Sequence, residues 1–262
     1  LSLLRHLGGV LLALVLLAAI AGPALVQAPP DRQDLARALE SPGAGFALGA
    51  DHLGRSVLSR LVHGARLSLS IAAGAAVGAV AIGAVVGLLG AALGPAAGAA
   101  LRGLLDLAQA LPNFLALLLV ATLFPIGPAS IGLAFALVAW VEPARVALLT
   151  AEGAARAPAV QAARMVALPL HRIARDLLLP PLLPPLAAVG GLLFGQAVLG
   201  IAALGFLGLG VRPPAPEWGA MIADALPYFT EAPHLVLAPA GGIVATVAGL
   251  FLLLAPGRAA AA

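Results

Sequence analysis

The side chains able to do chemistry in this sequence are few and widely spaced. Arg102, Asp106, Gln109 and Asn113 recur at i, i+4, i+7 and i+11. That spacing places them on one face of a helix. Arg102 and Asp106 are also spaced to pair with each other. Ionisable groups in so apolar a setting face other helices or a water-filled path. Two readings therefore stand for Asp106, Gln109 and Asn113: hydrogen bonds that fix packing, or lining for a solute pathway. Gln196 carries the same two readings. Glu142 lies three residues before Arg145, a spacing for a local ion pair.

No catalytic constellation forms. His6, His52, His63, His171 and His234 are scattered without metal-ligand spacing. There is no H-E-x-x-H, no Gly-x-Ser-x-Gly and no cysteine. All 14 basic residues are arginine, so the lysine of a phosphate-binding P-loop is missing. The expectation is a chain with no catalytic residues, no metal site and no cofactor of its own.

The elements that hold these residues are set by composition. The chain has 262 residues, 62% of them hydrophobic and 10% charged, with a mean hydropathy of +1.08. Soluble domains are roughly 25% charged, so a soluble globular protein is excluded. Disorder is excluded too, because it needs low hydrophobicity and high net charge. The net charge of +3 is sparse, and its arginines read as membrane topology rather than nucleic-acid binding.

Charge-free stretches and proline or glycine punctuation give six spans, at about 7–26, 67–93, 103–124, 129–149, 186–208 and 235–255. Each reaches the roughly 20 residues a bilayer requires. Pro125-Ile126-Gly127-Pro128 reads as a turn, and Pro180-Pro181 and Pro184-Pro185 as breaks before the fifth span. The first segment also resembles a signal peptide, but its apolar run exceeds the usual length of about 7–15 residues. The chain opens on Leu1 rather than methionine, so the natural start is expected upstream. Glycines 74, 78, 83, 87 and 90 allow close helix approach, either within one bundle or at a dimer seam. The arginines favour an inside amino terminus only weakly.

Two loops stand out. In Thr150–Pro185, Pro158 opens a helix and Pro169 ends it, leaving a short helix from Val160 to Ala167. Ala162 and Ala163 give it a small face, on which Ala163→Trp is expected to obstruct a partner groove. On physics alone it is a docking helix or an ordinary interfacial loop. In Gly210–Gly219, Pro213, Pro214 and Pro216 stiffen the chain ahead of Glu217, and Trp218 and Tyr228 suit a membrane interface.

Four blocks then carry a resemblance. They are Leu48-Gly49-Ala50-Asp51-His52-Leu53-Gly54-Arg55-Ser56 running on to Leu69, Asp106 with Ala110-Leu111-Pro112, Gln161-Ala162-Ala163-Arg164 through Leu179-Pro180, and Gly205-Phe206-Leu207-Gly208-Leu209-Gly210 through Trp218-Gly219-Ala220-Met221. Together they resemble the inner-membrane permease subunits of binding-protein-dependent ABC importers, in the dipeptide, oligopeptide and nickel branch.

The resemblance implies an all-α polytopic protein of about six transmembrane helices with a cytoplasmic coupling helix. It implies residues 1–45 as an amino-terminal helix and external linker, and 46–262 as the permease core with its coupling loop at about 151–185. Coupling to ATPases falls to Gln161, Ala162, Ala163, Arg164, Ala167, Leu179 and Pro180, and the external loop to Pro213, Pro214, Pro216, Glu217 and Trp218. Implied partners are a second permease, two ATPase subunits that hold ATP and Mg, an extracytoplasmic substrate-binding protein and membrane lipid. The implied location is the bacterial cytoplasmic membrane with both termini cytoplasmic, and the implied cargo is a peptide or a small solute such as nickel. A secondary transporter and an intramembrane enzyme remain the alternatives.

The sequence departs from the family where Gln161 replaces a glutamate, where Ala167 replaces a glycine, and where Pro256-Gly257-Arg258 and alanines replace a charged tail. Alanine in a left-handed cap costs about 1 kcal/mol against glycine. Gln161→Glu is expected to be tolerated or slightly beneficial, since a carboxylate near a helix start gains about 0.3–1 kcal/mol.

Overall fold

The computed structural model describes residues 2–43, 45–125 and 127–254. Ile126 of the expected turn, the end of the expected last span and the tail at Pro256–Arg258 lie outside the described residues. The described chain is helical, and its one β-bridge joins Ala50 and Ser56. Four helical runs are long and apolar enough to cross a bilayer: Leu3–Leu25, Val57–Ala92, Leu170–Phe206 and His234–Leu254. Counting each of two bent helix pairs as one span brings the number to six. The helices in order are α1 (Ser2–Leu25), α2 (Val57–Ala92), α3 (Pro95–Ala108), α4 (Asn113–Thr122), α5 (Pro128–Ala139), α6 (Val141–Ala155), α7 (Pro158–Met165), α8 (Leu170–Arg172), α9 (Leu179–Phe206), α10 (Trp218–Ala225) and α11 (His234–Leu254).

Prolines set both bends. Proline lacks the N–H that would bond the carbonyl four residues back. Pro112 therefore cannot continue the ladder from Ala108, and α3 ends there. Pro143 cannot donate to Ala139, where α5 ends. The axes turn by 84° between α3 and α4 and by 43° between α5 and α6. Elsewhere proline is tolerated. Pro180-Pro181 opens α9, Pro184-Pro185 lies inside it, and a π-helical stretch over Ile173–Leu178 precedes it. Wider i→i+5 turns of this kind absorb irregular hydrogen bonding. The expected break before the fifth span is thus a continuous helical run. The second span also begins ten residues earlier than the charge gap suggests. The Ser56 hydroxyl accepts from the Ser59 N–H, which starts α2 at Val57 and carries Arg60 and Arg66 on its first turns.

The chain divides into two compact units, one of residues 1–73, 121–132 and 195–262, the other of 74–120 and 133–194. In the first, α1 packs along α11 and α10 lies against α11. Glycine makes this possible, since a Cβ on Gly8 would fall 2.7 Å from the Gly249 carbonyl oxygen. In the second, α3 packs on α6. Gly83 and Gly87 of α2 lie against α6: a Cβ on Gly87 would sit 2.4 Å from the Ala144 carbonyl oxygen, whereas Gly74 faces open space. Close packing within the chain therefore accounts for the Gly83–Gly87 pair. The core of this unit gathers Leu105, Ala144, Ala147, Leu148, Leu182 and Leu186.

Candidate functional site

The short helix of the 150–185 loop is built by its two ends. Pro158 occupies the first helical position of α7 after an extended Ala157. At the other end Ala167 has φ +52°. The Ala167 N–H bonds the Arg164 carbonyl at 3.0 Å, and the Leu168 N–H bonds the Ala163 carbonyl at 2.9 Å. These are the two bonds of a Schellman cap, a motif that usually places glycine where Ala167 stands. Ala167→Gly should therefore stabilise the loop by about 1 kcal/mol, seen as slower amide exchange over residues 158–168 with no change in the spans.

Val160 is buried with Ile173 and Leu178, and Ala163 packs onto that cluster. The outward face is Gln161, Ala162, Arg164 and Met165. Met165 is 82% exposed and Val166 76%. Ala163 is thus part of the loop's own packing, and Ala162 is the small residue on the outward face. Gln161 donates from Nε2 to the Ala155 carbonyl, 3.0 Å away, at the end of α6. A glutamate carboxylate cannot donate there. This contact argues against the expectation that Gln161→Glu is tolerated or slightly beneficial: the change would set two acceptors against each other. Leu179 is half-buried at the start of α9, and Pro180 is exposed.

The polar stripe is not one face. Asn113 opens α4, beyond the 84° bend, while Asp106 and Gln109 close α3. Arg102 pairs with Glu152 at 2.5 Å rather than with Asp106. Asp106 accepts from Arg145 at 2.7 Å, and the same guanidinium nitrogen donates to Gln109 Oε1 at 2.9 Å. Arg145 therefore reaches across to α3 and not to Glu142. Asp106, Gln109, Asn113 and Gln196 are all exposed. Arg145 and Glu152 are the members that sequence spacing missed, because each pairs with a residue about 40 or more positions away.

The loop 210–219 is anchored rather than merely stiff. Glu217 is 1% exposed and caps α10, accepting from the N–H groups of Gly219 and Ala220. The Ser68 hydroxyl donates to it and accepts from the Trp218 N–H. Trp218 is 2% exposed, with its indole N–H on the Leu61 carbonyl, so it is a core residue and not an interface anchor. Tyr228 stacks on His52 at 5.2 Å. Gly205 and Gly219 leave the space: a Cβ on Gly219 would meet the Ala202 carbonyl.

Burial pushes the Glu217 carboxyl above its ordinary value of 4.5, against the pull of its three donors. A raised folded pKa means that the folded state takes up the proton more readily than the unfolded chain. The contribution to stability is full below about 4.5 and is lost as pH rises through the raised value. Glu217→Gln should flatten the fall in apparent melting temperature as pH rises above about 4.5, measured on the detergent-solubilised protein.

In the amino-terminal block, Gly49 and Gly54 hold left-handed conformations, at φ +76° and +70°. Between them Asp51 Oδ1 accepts from the N–H groups of Leu53 and Arg55, and Oδ2 accepts from Arg55 Nε at 2.7 Å. Arg60 Nε lies 3.5 Å from the same carboxylate. Asp51, Arg55 and Arg60 are 8%, 3% and 4% exposed. Among the described residues no group of three or more His, Cys, Asp or Glu side chains could hold a metal ion.

Residues 79–259 match a protein family described as binding-protein-dependent transport system inner membrane components. The chain belongs to that family. The di/tripeptide transport system permease protein DppC of Pseudomonas aeruginosa is 39% identical over 220 residues, which is 82% of this chain and 71% of that protein. The dipeptide transport system permease protein DppC of Alkalihalophilus pseudofirmus is 32% identical over 252 residues, which is 95% of this chain and 82% of that protein. The permease is accordingly a multi-pass inner-membrane transport subunit and not an enzyme. Both alternatives, the secondary transporter and the intramembrane enzyme, fall with this assignment.

Proposed function

We propose that this permease is one of two homologous membrane halves of an ATP-driven importer of di- or tripeptides. A second permease completes the pathway, two ATPase subunits hold ATP and Mg, and an extracytoplasmic binding protein delivers the cargo. Residues 46–262 act as the core domain after an amino-terminal helix and linker at 1–45. The outward face of α7 carries this reading. A short helix, closed by proline at one end and a Schellman cap at the other, holds Ala162, Met165 and Val166 free of the chain's own core. Such a face suits burial in an ATPase groove, with Gln161, Arg164, Leu179 and Pro180 around it, Ala163 supporting it from within and Ala167 closing the helix at its cap.

Coupling requires that loop to be cytoplasmic, which puts both termini inside and Gly49–Arg66 and Pro213–Trp218 outside. The peptide cargo rests on the names of the relatives, which favour it over nickel. Reporter fusions at Ala157 and Ala215 should signal opposite sides of the membrane. The chain assembled with its cognate subunits in proteoliposomes should take up trialanine only with ATP and the binding protein present. Same-side fusion signals, or uptake without ATP, would overturn the proposal.

A further inference from the structure

The Arg145–Asp106–Gln109 cluster lies where two helical segments break. Asp106 is about 16 Å along α3 from Pro95, and Arg145 about 15 Å along α6 from Ala155, at 1.5 Å per residue. With Pro95 and Ala155 taken at the membrane surface, each lies near half the roughly 30 Å hydrocarbon thickness. α3 stops at Ala108 and α6 starts at Val141, so both interruptions adjoin the charges. Irregular backbone and ionised side chains at that depth persist where they line an aqueous cavity, and interrupted helices at the midplane commonly form solute sites. The pair is not sealed in the chain's own core: the Asp106 side chain is 66% exposed and that of Arg145 31%. The Arg145 guanidinium makes its bonds to Asp106 and Gln109 through one nitrogen, Nη2, and its Nε is buried without a partner.

We propose that Arg145 and Asp106 form a charge-exchange station in the translocation pathway. Arg145 takes the terminal carboxylate of the passing solute, and Asp106 takes its ammonium group. The pair closes on itself between solutes, which keeps both charges compensated in an empty pathway. A guanidinium is suited to this because its planar donors match a carboxylate. The assignment rests on the peptide reading above and adds the residues that recognise the peptide's ends.

Two measurements test it on the assembled transporter. The sequence has no cysteine, so Gln109→Cys introduces the one thiol of this chain, and labelling is read on the permease band after the subunits are separated. A membrane-impermeant sulfonate thiol reagent should modify it from water. Modification only by a bilayer-partitioning maleimide, or by neither reagent, overturns the pathway placement. The second measurement compares uptake of trialanine and trialanine amide in wild type, Arg145→Gln and Arg145→Lys, with the binding protein's affinity for each peptide measured separately. Arg145→Gln should lower the trialanine-to-amide uptake ratio at least fivefold, and Arg145→Lys should recover part of it. A wild-type complex that refuses the amide supports the proposal if Arg145→Gln admits it, and overturns it if the variant refuses it as well. Equal loss for both peptides, or no loss, assigns Arg145 a packing role. If wild type transports neither peptide, the cargo reading fails on its own, and thiol access still decides whether the cluster meets water.

Discussion

Asp51→Ala should be among the most destabilising single substitutions in this chain, at about 3–5 kcal/mol. The carboxylate is the acceptor for two backbone N–H groups and the Arg55 guanidinium, and Arg60 lies beside it. Its removal leaves two arginines, each less than 5% exposed, without that counter-charge. Buried pairs add little net stability, because desolvation offsets attraction, but breaking one strands the surviving charge. Asp51→Asn keeps an oxygen for the Leu53 and Arg55 N–H groups but loses the charge and sets an NH2 donor against Arg55 Nε in place of Oδ2, so it should fall between Ala and wild type. Thermal unfolding of the detergent-solubilised protein, with retention of a monodisperse complex, would rank the three. An Asp51→Ala protein melting at the wild-type temperature would show that the arginines find water or other acceptors.

Ala162→Trp should lower ATP-driven uptake at least tenfold while leaving membrane insertion and the permease's own melting temperature unchanged. Ala162 points away from the Val160–Ile173–Leu178 cluster, so an indole there has room in the isolated chain and none in a close-fitting groove. The matched control is Ala163→Trp. Ala163 packs onto the cluster, and overpacking typically costs about 1–3 kcal/mol. That variant should destabilise the loop itself, seen as faster amide exchange over residues 158–178. Normal transport by Ala162→Trp with the ATPases still bound would mean that this face is not the docking surface.

Composition, hydropathy and charge gaps were enough to read an all-α membrane protein and to find its apolar runs, because a bilayer accepts long uncharged stretches and little else. Local rules also found α7, but two residues late at each end: it starts at Pro158 rather than Val160, and the cap at Ala167 closes it at Met165, ahead of Pro169. The same rules misjudged Pro180-Pro181, because a π-helical turn redistributed the hydrogen bonds that proline removed. They misjudged the polar stripe for the opposite reason: the i, i+4, i+7, i+11 pattern assumes an unbroken helix, and Pro112 ends the one that carries it. Charge partners were the least legible feature. Arg145 has Glu142 at helical spacing and yet bonds Asp106, because the packing of α3 on α6 decides which carboxylate the guanidinium reaches. Trp218 shows the same division. Its type suits a membrane interface, but Gly64 and Gly242 leave a slot that only an indole of this chain fills. What the sequence by itself determined was where the chain is apolar, where it turns and which family it resembles, all consequences of local chemistry. Which polar groups meet, and which face of α7 is left open, was decided by tertiary packing. Those pairings depend on distances between residues some 40 to 150 positions apart, which no local pattern encodes.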